Sequence, residues 1–329
     1  MFVIASFILS PPASAHVKWF APYDVAQSPL PAGWLLSSDF VLLVCAAALA
    51  LAAAVAVENT RSGRHLVHAL NQATAEIDAE GERLMLAVYG AFFVSLWTAG
   101  GIILTPELAT SSPMIGWFQL LVAAFLIWRP TLILTALGIV ALYFYAISQF
   151  GLFHLLDYPV FLGAAAYFAL TTLGWQTRLY RPLDVLRIAT GITLMWASVE
   201  KWAYPDWTLP VFAEHPDMAT VFDPMFFMKA AGVVEYTLGA ALLATPLVRR
   251  AAAVMLAATF ISAVMEFGKI DAIGPAPIII VLILIAADTR PQRTWSPAAV
   301  PILYLAGLAA TISAYYCGHQ WLFRPDAAP

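Results

Sequence analysis

The sequence predicts an all-helical, polytopic membrane bundle of about ten transmembrane helices. It reads as two parallel four-helix repeats with one flanking helix at each end. Three observations predict this. Of 329 residues, 62% are hydrophobic and 11% charged, with a mean hydropathy of +0.81; a soluble chain carries about 25% charged residues. Ten apolar runs approach or reach the roughly 17–25 residues that a bilayer-crossing helix needs. Polar landmarks recur along the chain. The same composition excludes a water-soluble enzyme, a disordered chain and a nucleic-acid binder, because there is too little charge to cover a soluble surface and no basic patch to hold phosphate. Cys45 and Cys317 are too few and too far apart for a disulfide framework or a CxxC pair.

Residues 1–15, MFVIASFILSPPASA, resemble a secretory signal without its positively charged start. Either the segment is cleaved after Ala15, which makes His16 the new N-terminus, or it stays as an uncleaved interfacial segment. Residues 16–82 hold an outer tail, the first span at about 39–57 and a cytoplasmic loop, whose Glu76, Asp78, Glu80 and Glu82 read as a solvated helical face. Residues 83–178 hold spans at about 84–104, 113–128, 131–149 and 158–174. Residues 179–290 hold spans at about 187–203, 225–245, 250–267 and 272–288, the last helix-poor at Gly274-Pro275-Ala276-Pro277. Residues 291–329 hold the last span, at about 297–316, and an outer tail.

Orientation follows from the arginines. With both termini outside, Arg61, Arg64, Arg83, Arg129, Arg178, Arg181, Arg187, Arg249, Arg250, Arg290 and Arg293 all fall at cytoplasmic ends and only Arg324 falls outside. The reversed topology inverts this, and dropping one span inverts every later loop. The location expected is a bacterial-type inner membrane.

The repeat shows in matched polar positions. Trp97 opens WTAGGIILTPE and Trp196 opens WASVEKWAYPD; Gln119 then matches Glu235, Pro130 matches Pro246, and Gln149-Phe150-Gly151 matches Glu266-Phe267-Gly268. Each unit has an even number of spans, so the two units are expected to be parallel rather than inverted.

The second unit resembles the DoxX family of small four-helix membrane proteins. The resemblance rests on Arg187 and Gly191 before Glu200-Lys201-Trp202, on Gly232-Val-Val-Glu235-Tyr-Thr-Leu-Gly239, and on Pro246 and Arg249-Arg250. It covers about 100 residues there and the first unit faintly, where Gln119 replaces the Glu and no Lys matches Lys201. It implies a membrane redox role, with quinone as the expected cofactor and other membrane or periplasmic subunits as partners beside the lipid bilayer. No nucleic-acid partner is expected.

The residues expected to carry chemistry are Glu235, Glu200, Glu266 and Lys201. Glu235 sits near mid-span, where a carboxylate costs at least ~2.5–3.5 kcal/mol and must be protonated, paired or wet. Glu200 and Glu266 add one acid on each neighbouring helix, with Lys201 and Lys269 adjoining. Three functions remain open: quinone-linked redox or proton handling in a larger assembly, a proton-coupled transporter or permease, and a scaffold subunit whose acids are interhelical glue. His154 with Asp157 reads as an oriented imidazole or as a polar surface turn. His16, His154, His215 and His319 lie on the outer face and are weak candidates for a copper or zinc site; no metal is assigned.

Overall fold

The computed structural model describes residues 23–174, 181–209, 223–267, 273–290 and 295–323, with the side chains of 265–267 excepted. Eleven helices of twelve residues or more appear among them: α1 Ser38–Glu58, α2 Arg61–Ala79, α3 Gly81–Ala99, α4 Pro113–Phe125, α5 Leu132–Phe150, α6 Pro159–Thr172, α7 Pro182–Ala203, α8 Pro224–Ala241, α9 Pro246–Phe267, α10 Ala276–Ala287 and α11 Val300–Leu322. No strand occurs among the described residues; one isolated bridge joins Ile102 to Ala109.

The helix ends follow from sequence. Pro113, Pro159, Pro182, Pro224 and Pro246 open α4, α6, α7, α8 and α9, where the missing N–H would have no intrahelical partner anyway. Asp223 caps α8 by accepting from the amides of Met225 and Phe226. Gly100 and Gly151 end α3 and α5 at φ 69° and 84°, a left-handed turn open to residues without a Cβ.

Four of these helices are long and apolar enough to cross a bilayer: Ser38–Glu58, Arg129–Phe150 (α5 with its preceding turn), Pro246–Val264 and Val300–Leu322. α4, α6 and α10 are apolar but shorter. The outermost pair, α1 and α11, bury only 22% of their apolar windows inside the protein, against 44% for the other two. Met114, Ile127, Trp128, Leu42, Leu49, Ile302 and Trp321 are all exposed, an apolar periphery that a monomer in water does not present. A polytopic helical bundle fits these features.

Neighbours in the bundle follow chain order. α3 packs on α4, α4 on α5, α5 on α6, α6 on α7, α7 on α8, α8 on α9 and α9 on α10, while α10 returns to both α7 and α3. Tyr89 of α3 meets Phe168 of α6 edge-on at 5.3 Å, and Phe92 stacks on Phe161 at 6.1 Å. α1 lies against α8, α9 and α11. The tightest pairing, α7 with α8, is built on glycine: a Cβ on Gly191 would stand 3.0 Å from the Gly239 carbonyl, and one on Gly232 would collide with the Trp202 indole. Small residues let two helix backbones approach where side chains would hold them apart.

Candidate functional site

The polar side chains gather at two opposite ends of the bundle. One is an arginine end, where α7 and α9 begin and α1 and α10 finish. The other is an acid end, where α7 and α11 finish and α8 begins.

At the acid end the last turn of α7 presents Glu200, Lys201 and Trp202. Lys201 Nζ donates to Glu235 Oε2 on α8; their side chains are 7% and 14% exposed. A second lysine, Lys229, lies six residues earlier on α8. It donates to Asp39 at 2.8 Å and Ser37 at 2.9 Å, at the start of α1, and its Nζ stands 4.2 Å from the Trp34 ring. The Trp202 indole N–H donates to the Lys229 carbonyl at 3.2 Å, so one tryptophan separates and positions the two ion pairs. Glu200 is buried and lies within electrostatic reach of Glu235.

At the positions that the expected repeat matches to Lys201 and Glu235, the chain makes a contact of different chemistry. Aligning Trp97 with Trp196 sets Ile102 opposite Lys201, 99 positions on, whereas Gln119 matches Glu235 116 positions on, so the second stretch carries 17 extra residues between the two matches. Gln119 is fully buried, and its amide donates to the carbonyls of Ile102 at 2.7 Å and Ile103 at 2.8 Å. On the expected repeat, an amide–carbonyl bond thus stands at the positions matched to an ion pair.

The loop between α3 and α4, held by Gln119, carries Glu107. Its carboxylate lies 3.9 Å from His154 Nε2 in the turn after α5, and the two side chains are 4% and 1% exposed. Asp157 is buried beside them. Tyr315 of α11 is fully buried, with Glu200 and Asp157 both within electrostatic reach. The segment before α1 lies over this end. Leu30 N–H donates to the Ala203 carbonyl at 2.9 Å, Tyr316 OH to Leu30 O at 2.8 Å, Trp207 Nε1 to Gln27 Oε1 at 2.9 Å, and His319 Nε2 to Val25 O at 3.1 Å.

The arginine end is a buried ion network. Arg249, fully buried, donates to Asp288 at 2.8 Å. Arg290 bridges Asp288 at 2.7 Å and Asp184 at 2.7 Å. Arg187 donates to the Leu242 carbonyl at 2.9 Å and Arg250 to Asn71 of α2 at 2.7 Å. Burial disfavours the Arg290 charge, yet hydrogen bonds to Asp184 and Asp288 hold its pKa above the ordinary arginine value. Glu58, at the end of α1, accepts from Thr245 Oγ1, Leu247 N and Val248 N, placing a carboxylate at the N-terminus of α9, where the helix dipole favours it. α2 crosses this end, tied by Asn71, by Thr74 to the Ala287 carbonyl at 3.0 Å, and by Asp78 to Thr289 at 2.6 Å. A cleft of about 200 Å³ lies alongside, lined by Asp78, Glu82, Tyr167, Thr171, Arg181 and Arg290 among others.

Of the residues expected from sequence, Lys201 and Glu235 are brought into direct contact and Glu200 adjoins them. The side chain of Glu266, and Lys269, lie outside the described residues, as do His16 and His215. His154 and His319 share the acid end, each close to an aromatic side chain; among the described residues no group of three His, Cys, Asp or Glu could hold a metal. His65 and His68 lie on the exposed face of α2. Sequence reasoning used Glu107 only as a register mark and read the arginines only as topology markers. It missed the Lys229–Asp39 pair as well. The signal for Glu107 was present: it closes the same Pro-acid motif as Asp206.

No protein-family model, no curated protein and no solved structure matches this chain.

Proposed function

We propose that the chain is a multi-pass inner-membrane protein made of two parallel DoxX-like four-helix repeats, with ten spans and both termini outside. Its function is to handle protons for quinone-linked redox chemistry, as a subunit of a larger membrane assembly. The observation that carries this reading is the Lys201–Glu235 ion pair between α7 and α8. A carboxylate and an amine held together away from water can exchange a proton, and such groups inside membrane spans mark ion or substrate paths by default.

Three features support the architecture. Exchanging α3, α4, α5 and α6 for α7, α8, α9 and α10 maps the chain-order contacts onto one another, with α6–α7 becoming α10–α3, and α7–α10 is matched by the ring contacts of α3 with α6. The pairs Gln119–Ile102 and Glu235–Lys201 occupy matching positions. The arginine network lies at the end that the charge bias assigns to the cytoplasm.

A quinone head group needs hydrogen-bond donors for its carbonyl oxygens and flat apolar walls. The acid end offers both. The buried indole N–H of Trp196 has no partner among the described residues, and its ring lies 4.8 Å from Tyr315. When bound, quinone would supply two-electron, two-proton chemistry. Trp196 and Tyr315 would hold the ring, Glu200 and the Lys201–Glu235 pair would hold or accept protons beside it, and the segment before α1 would keep bulk water out. The sequence shows no electron-carrier motif, so a cofactor or a partner subunit would deliver the electrons.

The test is gentle purification followed by mass spectrometry of co-purifying quinone, lipid, metal and proteins, with the Glu235→Gln variant alongside. Bound quinone that is lost in Glu235→Gln is the expected result. Proton-coupled solute uptake by vesicles would favour a transporter instead. Full activity after Glu200→Gln, Glu235→Gln and Glu266→Gln would reduce the acids to helix packing and make the chain a scaffold.

A further inference from the structure

We infer that Glu107 and His154, both from the first unit, form the station through which protons reach the Lys201–Glu235 pair of the second unit from the outer face. This rests on the proton-handling function proposed above and extends it to residues outside the second unit.

The argument is one of continuity. Glu235 is bonded to Lys201, and Glu200 adjoins both. The Tyr315 ring lies 5.0 Å from that of Phe153, next to His154, and 6.4 Å from that of Tyr204, just past the end of α7, with Glu200 and Asp157 both within its electrostatic reach. Asp157 lies three residues from His154 in the same turn, and His154 Nε2 lies 3.9 Å from Glu107. These groups come from five places in the chain: the α3–α4 loop, the turn after α5, the ends of α7 and α11, and the middle of α8. All of them are buried or nearly so. Other polar groups face the imidazole as well: Tyr23 from the leading segment at 5.4 Å and Tyr158 at 6.3 Å.

Imidazole suits the station because it can take a proton on one ring nitrogen and release one from the other. In the inward step, with side-chain rotation or a bridging water closing the 3.9 Å gap, an O–H bond of the Glu107 carboxyl breaks and an N–H bond forms on His154. The imidazolium then gives a proton towards Asp157, and side-chain rotation or bridging water carries it past Tyr315 to Glu200 and the ion pair. No electron moves. Gln119 contributes indirectly: its two bonds to the Ile102 and Ile103 carbonyls hold the loop that presents Glu107. The first unit has an amide–carbonyl bond where the second has the Lys201–Glu235 pair, yet it supplies the entrance to that pair.

The test uses the full-length protein in lipid nanodiscs and infrared spectroscopy after a rapid pH jump. The Glu235 band is the pH-responsive carboxyl band that disappears in Glu235→Gln. In Glu107→Gln and in His154→Gln this band should keep its amplitude and respond roughly tenfold more slowly or worse, since a positioned acid–base group contributes about 10²–10⁴-fold. Glu107→Asp should recover part of the rate. Either folded variant alone decides the matter: an unchanged rate overturns the station while leaving proton handling at Glu235 intact. If Glu235→Gln removes no pH-responsive band, proton handling itself fails and the station falls with it.

Discussion

On the repeat proposed above, the two units supply an internal control for the Lys201–Glu235 pair, and replacing both residues should turn one unit's chemistry into the other's. Lys201→Ile leaves a largely buried carboxylate without its cation. Breaking a buried pair from one side costs about 3–5 kcal/mol, with the lower figure expected here because a carboxylate can neutralise itself by taking a proton. Glu235→Gln keeps an acceptor for the ammonium and should cost about 1.5–3 kcal/mol, the range of a hydrogen bond to a charged group. The double variant should cost less than Lys201→Ile alone. Its glutamine can donate to the carbonyl of residue 201 or 202, as Gln119 donates to Ile102 and Ile103. Those carbonyls lie in the last turn of α7, where no intrahelical N–H follows to claim them. An interhelical bond of this kind is worth about 0.6–1.7 kcal/mol, so the double variant should lie within ~1 kcal/mol of the parent, inactive but folded. Equilibrium unfolding in mixed lipid–detergent micelles, followed by tryptophan fluorescence, measures all four proteins. The expected coupling is about 3.5–5 kcal/mol, the two single costs together less that of the double variant. Additive effects, with coupling below about 0.5 kcal/mol, would refute both the pair's energetic role and the equivalence of the two units.

Three further outcomes follow from the same geometry. Asp288→Ala removes the carboxylate shared by Arg249 and Arg290 and should destabilise by about 3–5 kcal/mol in the same unfolding assay, whereas Arg83→Ala, in an exposed pair with Glu80, should stay within about 0.5 kcal/mol of the parent; equal effects would dismiss the buried network as a stabilising element. Gly232→Val drives a branched side chain into the Trp202 indole and should cost about 1–3 kcal/mol and shift the tryptophan emission, while an unshifted spectrum with parental stability would show that α7 and α8 do not approach there. Cys45 and Cys317 are both exposed and free, but on the proposed topology only Cys317 should react with a membrane-impermeant thiol reagent in intact spheroplasts, because α1 would present Cys45 to lipid; reaction of Cys317 only after lysis would reverse that topology.

Much of the fold was legible because local rules governed it. Each of the ten apolar runs carries a helix, and the boundaries track proline starts and glycine stops, which act within one turn. The short run at about 113–128 became the 13-residue α4, and the Gly-Pro-Ala-Pro stretch delayed α10 to Ala276. Of the acidic run, Glu76 and Asp78 lie in α2, Glu80 at its junction with α3 and Glu82 in the first turn of α3, and Asp78 bonds Thr289 rather than facing only solvent. A charge count along the chain sees how many partners exist and not which ones meet.

Sequence by itself determined the helical class, the apolar surface and the identity of the costly group, because a carboxylate in the middle of an apolar run must be reconciled with its surroundings whatever the tertiary arrangement. It could not determine the reconciliation. Lys201 was read as a neighbour of Glu200, which it adjoins in sequence; in the folded chain the close approach of Gly191 to Gly239 brings α8 near enough for Lys201 to bond Glu235 instead. Glu107 and His154 stand 47 positions apart, and no periodicity links a loop after one helix with a turn after another. The arginines carried a topological meaning in sequence, yet Arg249 and Arg290 owe their buried positions to Asp184 and Asp288. Interhelical contacts depend on how separate helices pack, and helix packing is set by shape along whole faces rather than by any short stretch of residues.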